Sequence, residues 1–245
     1  HALYLDAQKT QMSRSEDWKD TALTLSGYTD AIMARVYEQS TLETLAKHSP
    51  KPVINGLSNQ LHPCQILSDL FTIREHFGKL EGLHVLYTGV VDNVAYSLAL
   101  GCAQMGMDFT LVTPPMFHTN QTIWKQTKSI AKKNHCHVDH FSEMPEAKYL
   151  KRVDIVYTDE WESMHMKLDK PKLFPLLKKY QVNETLLKKC ARGAKMMHCL
   201  PAIKGEEVNS SIMYGKNSLV WTQAQNRMYV QQALLVALLG THSES

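Results

Sequence analysis

Three polar residues, Arg35, His62 and Gln65, are of the types that bind a phosphate and an activated carbonyl group. Arginine binds phosphate through a planar fork of charged donors, histidine donates to a carbonyl oxygen as negative charge develops, and glutamine accepts from an amide. Simpler interpretations are open: His62 followed by proline also fits an ordinary helix start, and Arg35 could form a surface ion pair. The apolar neighbours of Arg35 nevertheless indicate a buried strand, where an unpaired arginine is costly.

Two more polar groups follow downstream. His198-Cys199-Leu200-Pro201 comes after an apolar pair, and Asp159 stands four residues before Ser163-Met164. A cysteine at a strand end is either a small buried hydrophobe or a reactive thiol. The Asp159 carboxylate could cap the following segment or bind an ammonium group, and Asn93 at a predicted helix N-terminus could help to hold a carboxylate.

Most of these residues lie at or just beyond the ends of predicted strands. Short apolar runs alternate with helical patterns, which is typical of parallel strands joined by crossover helices. Ligands of such sheets bind beyond the carboxyl ends of the strands, so Arg35, Asn93, Asp159 and Cys199 are predicted to surround one cleft. The predicted strands are Ala2–Leu5, Ala31–Tyr37, Pro52–Asn55, Leu83–Thr88, Phe109–Thr113, His137–Phe141, Val153–Tyr157, Met196–Leu200 and Leu219–Trp221.

One predicted helix, from His62 to about Phe77, separates two blocks of alternating strands and helices. Its apolar residues recur on one face and Gly78 follows its end, so we expect it to connect two lobes. A final helix is predicted from Asn226 to about Leu239. Its expected buried stripe consists of Val230, Leu234, Ala237 and Leu238.

Composition excludes several classes of protein. The 245 residues carry 27 Lys+Arg against 24 Asp+Glu, a formal charge of +3, without a long basic block, so nucleic-acid binding has little support. The five cysteines form no C-x-x-C pair, which favours a reducing compartment without disulfides. The longest apolar stretch, Ala233–Leu239, is too short to span a bilayer, and no signal pattern opens the chain. A soluble protein is expected.

Metal and nucleotide chemistry are not indicated either. His135, Cys136, His137 and His140 form the one metal-like cluster in the sequence, and no further ligand follows at a conventional spacing, so no metal site is expected. Neither a G-x-x-x-x-G-K-[ST] loop nor a G-x-G-x-x-G turn follows a predicted strand. We therefore expect no metal or organic cofactor.

Together these motifs, in this order, resemble the ornithine carbamoyltransferase family along essentially the whole chain. The resemblance implies an α/β fold of two doubly wound parallel-sheet lobes, the first incomplete, joined by interdomain helices. It places a carbamoyl phosphate-binding lobe at residues 1–75, completed by a C-terminal helix at 228–245, and an ornithine-binding lobe at residues 76–227. The implied reaction transfers the carbamoyl group of carbamoyl phosphate to the δ-amine of L-ornithine, giving citrulline and phosphate.

The resemblance also assigns roles to the site residues. Arg35 and His62 would polarise the carbonyl of carbamoyl phosphate. His-Cys-Leu-Pro is a signature of the ornithine-using members, in which the cysteine lies beside the attacking amine as a positioned thiol. The carbamoyl group would be oriented by Gln65, Arg227 and the main chain of Cys199 and Leu200, and ornithine would be held by Asn93, Asp159, Ser163 and Met164.

Assembly and location follow from the same resemblance. His1 is similar to a histidine that reaches the carbamoyl phosphate of a neighbouring subunit, which implies a homotrimer or a multiple of trimers. A cytoplasmic location is expected, or the mitochondrial matrix in a eukaryote. The negatively charged Thr158-Asp159-Glu160 argues against aspartate as the acceptor, because a second substrate carboxylate needs cationic groups.

Several motifs depart from the family pattern. The family's Ser-x-Arg-Thr phosphate loop would precede His1, which predicts either a fragment of a longer carbamoyltransferase or a shortened relative. The family's Asp-Gly-Asn-Asn turn is replaced by Val90-Val91-Asp92-Asn93. Its Glu-x-Glu-Asn-Arg motif corresponds to residues 223–227, in which glutamine replaces both glutamates. The glycine that follows Ser-Met in the family is replaced by His165. Two alternatives stay open: a carbamoyltransferase for putrescine or N-acylated ornithine, and a noncatalytic ligand-binding relative.

Overall fold

The computed structural model of the chain describes residues 1–6, 9, 16–162 and 169–240. The chain divides into two compact units, residues 1–61 with 232–245, and residues 62–231. The assignment of the two lobes to residues 1–75 with 228–245 and to 76–227 remains a prediction. Two separate parallel sheets confirm the predicted α/β class, because no sheet runs through both blocks of strands in the described part of the chain.

The first unit contains a two-stranded parallel sheet. Asp17 caps its first helix by accepting from the main-chain N–H of Lys19 at 2.9 Å, and Arg35 is the last residue of the first strand. The described elements of the unit are α1 (Trp18–Ser26), β1 (Ile32–Arg35), α2 (Gln39–His48) and β2 (Val53–Leu57).

The predicted strand Ala2–Leu5 is wrong. These residues have no regular secondary structure, and Leu3 and Tyr4 are 70% and 89% exposed. A short apolar run becomes a strand only when a neighbouring strand satisfies its backbone groups. In this unit the described pairing is between β1 and β2, and it does not include Ala2–Leu5.

The second unit is built around a five-stranded parallel sheet with the order β5-β4-β3-β6-β7. Its strands overlap the predicted apolar runs, although β4, β6 and β7 each extend one residue beyond them. Every residue of β3 and β6 is buried, as expected for central parallel strands. The strands are β3 (His84–Thr88), β4 (Asp108–Val112), β5 (Val138–Phe141), β6 (Ile155–Thr158) and β7 (Lys195–His198). The helices of this part of the chain are α3 (Pro63–Phe77), α4 (Asn93–Gln104), α5 (Gln121–Lys133), α6 (Ala147–Leu150), α7 (Lys170–Leu177), α8 (Glu184–Lys189), α9 (Ser210–Met213) and α10 (Val220–Leu239).

Helix α3 begins and ends where the sequence predicts. His62 is its N-cap residue, proline occupies the first turn, and Gly78 ends it in the left-handed conformation with φ of 74°. Its buried apolar face packs closely on α4: a Cβ atom added to Gly101 would lie 2.6 Å from Cγ2 of Ile66. This close approach packs the first two turns of α3 against the C-terminal end of α4.

The last helix differs from the prediction. Leu219–Trp221 is not a strand: Ser218 forms an isolated bridge to Met196, and α10 begins at Val220, six residues before the predicted start. Three apolar residues fit a strand and a helix equally well, and here they continue the long helical pattern that follows. The expected stripe is only partly right: Val230 and Leu234 are half-buried, whereas Ala237 and Leu238 are exposed and the buried residues of α10 are Val220, Gln223 and Asn226.

Candidate active site

The carboxyl ends of three neighbouring strands in the second unit form a crevice. From β3 the chain proceeds outward to β4 and β5 on one side, while β6 and β7 lie on the other side, so the strand order reverses between β3 and β6. Open α/β sheets bind their ligands at such a switch point. The polar residues that follow these strands are Asp92 and Asn93 after β3, Asp159 after β6, and Cys199 after β7.

Two aspartates, Asp92 and Asp159, form a buried acidic pair at this crevice. Burial raises the pKa of Asp92 well above its usual range, and the charge of Asp159 raises it further. Burial also raises the pKa of Asp159, while hydrogen bonds from Asp92, Cys199 and the main chain of Glu160 oppose the rise. Two adjacent carboxyl groups do not both ionise readily, so Asp92 holds the proton and Asp159 is the more acidic partner.

The thiol of Cys199 lies against this pair. Burial, followed by the carboxylate of Asp159, raises the pKa of the Cys199 thiol well above its usual range, and the Cys199 Sγ lies within 4.8 Å of a carboxylate oxygen of Asp159. A reactive cysteine needs surroundings that stabilise its thiolate, and these acidic surroundings do the reverse. Cys199 is therefore a neutral, positioned thiol.

His198 fixes the main chain after Cys199. Its Nδ1 accepts from the N–H of Leu200 at 2.9 Å, and its Nε2 lies 3.2 Å from the carboxylate of Glu207, with both side chains fully buried. Leu200 has φ of 60°, a conformation that non-glycine residues rarely adopt and that surrounding contacts must hold. The buried His198–Glu207 pair thus sets the direction of the main chain at Leu200.

One cluster has the residue types of a metal site. Asp159, His198 and Cys199 each offer a ligand atom within 4.8 Å of the others, and no other such group occurs among the described residues. Both ring nitrogens of His198 already have partners, however, in Leu200 and Glu207. Only two ligands then remain, which does not make a metal centre.

The starts of α3 and α4 are joined by one hydroxyl group. Ser97 accepts from the main-chain N–H of His62 at 2.7 Å and donates to the carbonyl of Asn93, also at 2.7 Å. His62 and Asn93 are both buried. This link holds two of the predicted site residues in a fixed relation.

Gln65 belongs to a buried network one turn into α3. Its Nε2 donates to Asp69 at 2.8 Å, and its Oε1 is buried without a hydrogen-bond partner among the residues that the structure describes. Burial raises the pKa of Asp69 and of Cys64, and the charge of Arg227 opposes both rises, so its guanidinium lies within electrostatic reach of α3. A cleft also brings Arg227 together with Cys199 and Leu200.

The predicted site residues divide between the two units. His62, Gln65, Asn93, Asp159, Cys199, Leu200 and Arg227 belong to the second unit, and the contacts above connect them. Arg35, at the end of β1, and His1, an exposed residue without regular structure, belong to the first. Ser163 and Met164 lie outside the described residues, and no contact tests their predicted roles.

Several residues of the site region were missed by sequence reasoning, among them Ser97 and Glu207. Asp92 was noticed as a departure but not as a partner of Asp159. Asp69 stands four residues after Gln65 on the same helix, a spacing at which glutamine and aspartate pair, and could have been found. Tyr157 and Gln223, which also donate to Asp69, are distant in sequence and gave no signal.

The strand order and the polar groups at the switch point define a doubly wound α/β ligand-binding unit. Residues 1–75 match the model of the aspartate/ornithine carbamoyltransferase carbamoyl-P binding domain, and residues 81–238 match that of the Asp/Orn binding domain. The chain belongs to the aspartate/ornithine carbamoyltransferase family. Among the described residues, no helix combines the length and apolar character needed to cross a membrane.

Individual relatives are similar along nearly the whole chain. The ornithine carbamoyltransferase of Oceanobacillus iheyensis is 42% identical over 238 residues, which cover 97% of this chain and 73% of the relative. That of Archaeoglobus fulgidus is 41% identical and covers 100% of this chain and 78% of the relative. The structure of the Pyrococcus furiosus enzyme superposes with a TM-score of 0.92 at 40% identity, covering 98% and 76% of the two chains.

Proposed function

We propose that this protein is an ornithine carbamoyltransferase. The neutral δ-amine of ornithine attacks the carbonyl carbon of carbamoyl phosphate, the new C–N bond forms, and the C–O bond to phosphate breaks. The amine loses a proton, and citrulline and phosphate leave. The observation that carries the proposal is the Asp159–Cys199 contact at the switch point, because it places an ammonium-binding carboxylate beside a neutral thiol within a family of carbamoyl-transferring proteins.

The residues have distinct proposed roles on the donor side. Arg35 and His62 bind and polarise carbamoyl phosphate, and Arg227 with Gln65 orients its carbamoyl group. The main-chain carbonyls of Cys199 and Leu200 accept from the carbamoyl amide. Nearly all of this work is positioning and charge stabilisation, so no covalent enzyme intermediate is required.

On the acceptor side, Asp159 binds the α-ammonium group of ornithine and Asn93 its carboxylate, with Ser163 and Met164 completing the pocket. The test is citrulline formation from carbamoyl phosphate and ornithine, with Asp159→Asn as the matched variant. We expect citrulline from the unchanged protein and a large loss of ornithine use in the variant. Failure of the unchanged protein to form citrulline, while it binds both substrates, would favour a noncatalytic relative.

A diamine acceptor is the second candidate, favoured by Asp92. Its carboxyl accepts from the N–H of Ala95 at 2.9 Å and so occupies part of the α4 N-terminus, where a substrate carboxylate would otherwise bind. A second acidic group at this place favours a cationic acceptor that lacks a carboxylate. Comparing transfer to putrescine, N-acylated ornithine and ornithine at equal concentration distinguishes the candidates.

Assembly and location are proposed on similarity alone. We propose a homotrimer or a multiple of trimers, in which His1 reaches the carbamoyl phosphate of a neighbouring subunit, and a cytoplasmic location. The bacterial and archaeal relatives support this location. Light scattering coupled to size-exclusion chromatography measures the subunit number, and a monomer would contradict the assembly.

A further inference from the structure

We propose that Asp69 is a positioning residue that holds the Gln65 amide and, through Gln223, the end of β7 in the directions needed to accept from the carbamoyl group. The inference rests on the proposed function, since it assumes that Gln65 and the main chain after β7 meet carbamoyl phosphate. Asp69 itself is fully buried and acts through these neighbours.

Asp69 determines the direction of the Gln65 side-chain amide. A glutamine amide can be turned by 180°, exchanging its donor and acceptor ends. Asp69 Oδ1 accepts from Gln65 Nε2 at 2.8 Å, and an ionised carboxylate can only accept. The Nε2 end is therefore held by Asp69, and Oε1 is left without a partner in the described part of the chain. A buried acceptor without a partner is costly, so this atom is suited to a ligand that donates.

A chain of hydrogen bonds also connects Asp69, through Gln223, to the end of β7. Gln223 Nε2 donates to the same Oδ1 of Asp69 at 2.7 Å, while its Oε1 accepts from the main-chain N–H of His198 at 3.0 Å. This N–H lies immediately before Cys199 and Leu200, whose carbonyls are the other proposed acceptors for the carbamoyl amide. One carboxylate thus fixes both acceptor groups. A glutamate at position 223, as in the family motif, could not donate to Asp69.

The charge of Asp69 is essential to this arrangement. Burial raises its pKa to about 6, while hydrogen bonds from Tyr157, Gln65 and Gln223 and the charge of Arg227 oppose the rise. The titratable groups that face it from other elements are Tyr157 on β6, Arg227 on α10, Cys102 on α4 and Cys199 after β7. Above this pKa Asp69 accepts from all of its partners, whereas below it the carboxyl gains a proton and the direction of the Gln65 amide is no longer enforced.

The test is calorimetric binding of carbamoyl phosphate to the unchanged protein and to Asp69→Asn, which keeps the shape but replaces one acceptor oxygen by a donor. We expect binding about tenfold weaker at a pH of about 8, with the secondary structure retained. Thr72→Val is the matched control: Thr72 is also buried on α3 and accepts from Asn226 on α10, and its described hydrogen bonds are to Asn226 and Ser68 and not to Gln65 or Gln223. The control should lose stability without losing affinity.

Two further readouts separate positioning from a purely structural role. In the Gln65→Ala background, Asp69→Asn should weaken binding clearly less than it does alone, since contacting residues are not additive. Affinity of the unchanged protein should also fall as the pH decreases through about 6, beyond the fall seen in Asp69→Asn, which keeps the ionisation of the phosphate and of every other protein group.

Failure of this inference and failure of the proposed function would give different results. Carbamoyl phosphate binding by Asp69→Asn within about twofold of the unchanged protein, or fully additive losses in the double variant, would overturn this inference while leaving the proposed function intact. An unchanged protein that does not bind carbamoyl phosphate would overturn both.

Discussion

At the scale of single residues, the acceptor side of the crevice holds a pair of carboxyl groups where the sequence suggested one. Asp92 stands where the family's turn has asparagine, and its buried carboxyl interacts with Asp159. Two carboxyl groups attract cations more strongly than one, but the pair must give up its shared proton to do so. Affinity for an ammonium group therefore depends on pH as well as on geometry.

Replacing Asp159 by asparagine should weaken ornithine use far more than carbamoyl phosphate binding. The variant loses the charged partner of the α-ammonium group, which corresponds to roughly a tenfold to hundredfold rise in the KM of ornithine. In the unchanged protein this KM should rise as the pH falls, because the raised pKa of Asp159 lets it protonate earlier than an ordinary aspartate. Initial rates with each substrate varied in turn provide the measurement. Equal losses for both substrates would contradict the assigned role.

Asp92→Asn should have the opposite effect on ornithine. Asparagine can still donate to Asp159 and accept from the N–H of Ala95, but it cannot ionise, so a second negative charge cannot form beside the ornithine carboxylate at the α4 N-terminus. We expect a KM for ornithine about threefold lower at a pH of about 8 and a larger preference for ornithine over putrescine. The ratio of kcat/KM for the two acceptors measures this. An unchanged ratio would mean that Asp92 does not contact the acceptor.

Residue types and spacing could predict which residues meet at the crevice but not how they are supported. The sequence predicts that Asp159 and Cys199 share a cleft, and ligand atoms of the two side chains lie within 4.8 Å of each other. The support of Leu200 by His198 and Glu207, and of Gln65 by Asp69 and Gln223, depends on contacts between distant segments. Such contacts leave no periodic pattern in a single sequence.

At the scale of elements, the packing of α3 on α4 positions the donor side. Gly101 allows the close approach, because even one methyl group at this position would lie 2.6 Å from Ile66 Cγ2 and 3.2 Å from Leu70 Cδ1. Both neighbours are buried and have little freedom to move. A change here would shift the helix that carries His62 and Gln65.

Gly101→Ala should destabilise the protein by about 1–3 kcal/mol through overpacking, although alanine is the better helix former. The exposed Gln104→Ala on the same helix is the control and should change the free energy of unfolding by less than about 0.5 kcal/mol. Urea denaturation of both variants provides the comparison. A Gly101→Ala protein as stable as the control would show that the two helices separate without cost.

Element prediction succeeded where a pattern had one physical interpretation. The helix at residues 63–77 has a proline start, an apolar face and a glycine end, and it was predicted almost to the residue. The apolar residues at 219–221 suit a strand or a helix, and Ala2 to Leu5 suit a strand for which the described residues provide no partner. Pairing is a tertiary property, so these errors could not be avoided from local sequence.

At the scale of the whole molecule, buried carboxyl groups should shape stability against pH. The pKa of Asp69 is about 6 in the folded state against 3.8 for an ordinary aspartate. A folded pKa that is raised means that the folded state binds the proton more tightly, so its contribution to stability falls as the pH rises from about 4 to about 6 and is constant above. For Asp69 alone this change is about 3 kcal/mol.

Comparing the free energy of unfolding of the unchanged protein and Asp69→Asn from about pH 4 to about pH 8 isolates this contribution. The difference between the two proteins should favour the variant progressively as the pH rises from about 4 to about 6 and should stay constant above. Other groups, such as His84, whose pKa is lowered by burial, act equally in both proteins and cancel. A difference that is independent of pH would contradict the raised pKa of Asp69.

The acidic pair at the switch point also makes ligand binding a proton-exchange reaction. Asp92 and Asp159 share a proton while the crevice is empty, and an ammonium group that engages both carboxylates displaces it into the solvent. The heat of acceptor binding should then vary with the ionisation enthalpy of the buffer, with a slope that counts the protons released. Asp92→Asn should bring that slope towards zero. The crevice would thus discriminate among acceptors partly by how many protons each acceptor displaces from the acidic pair.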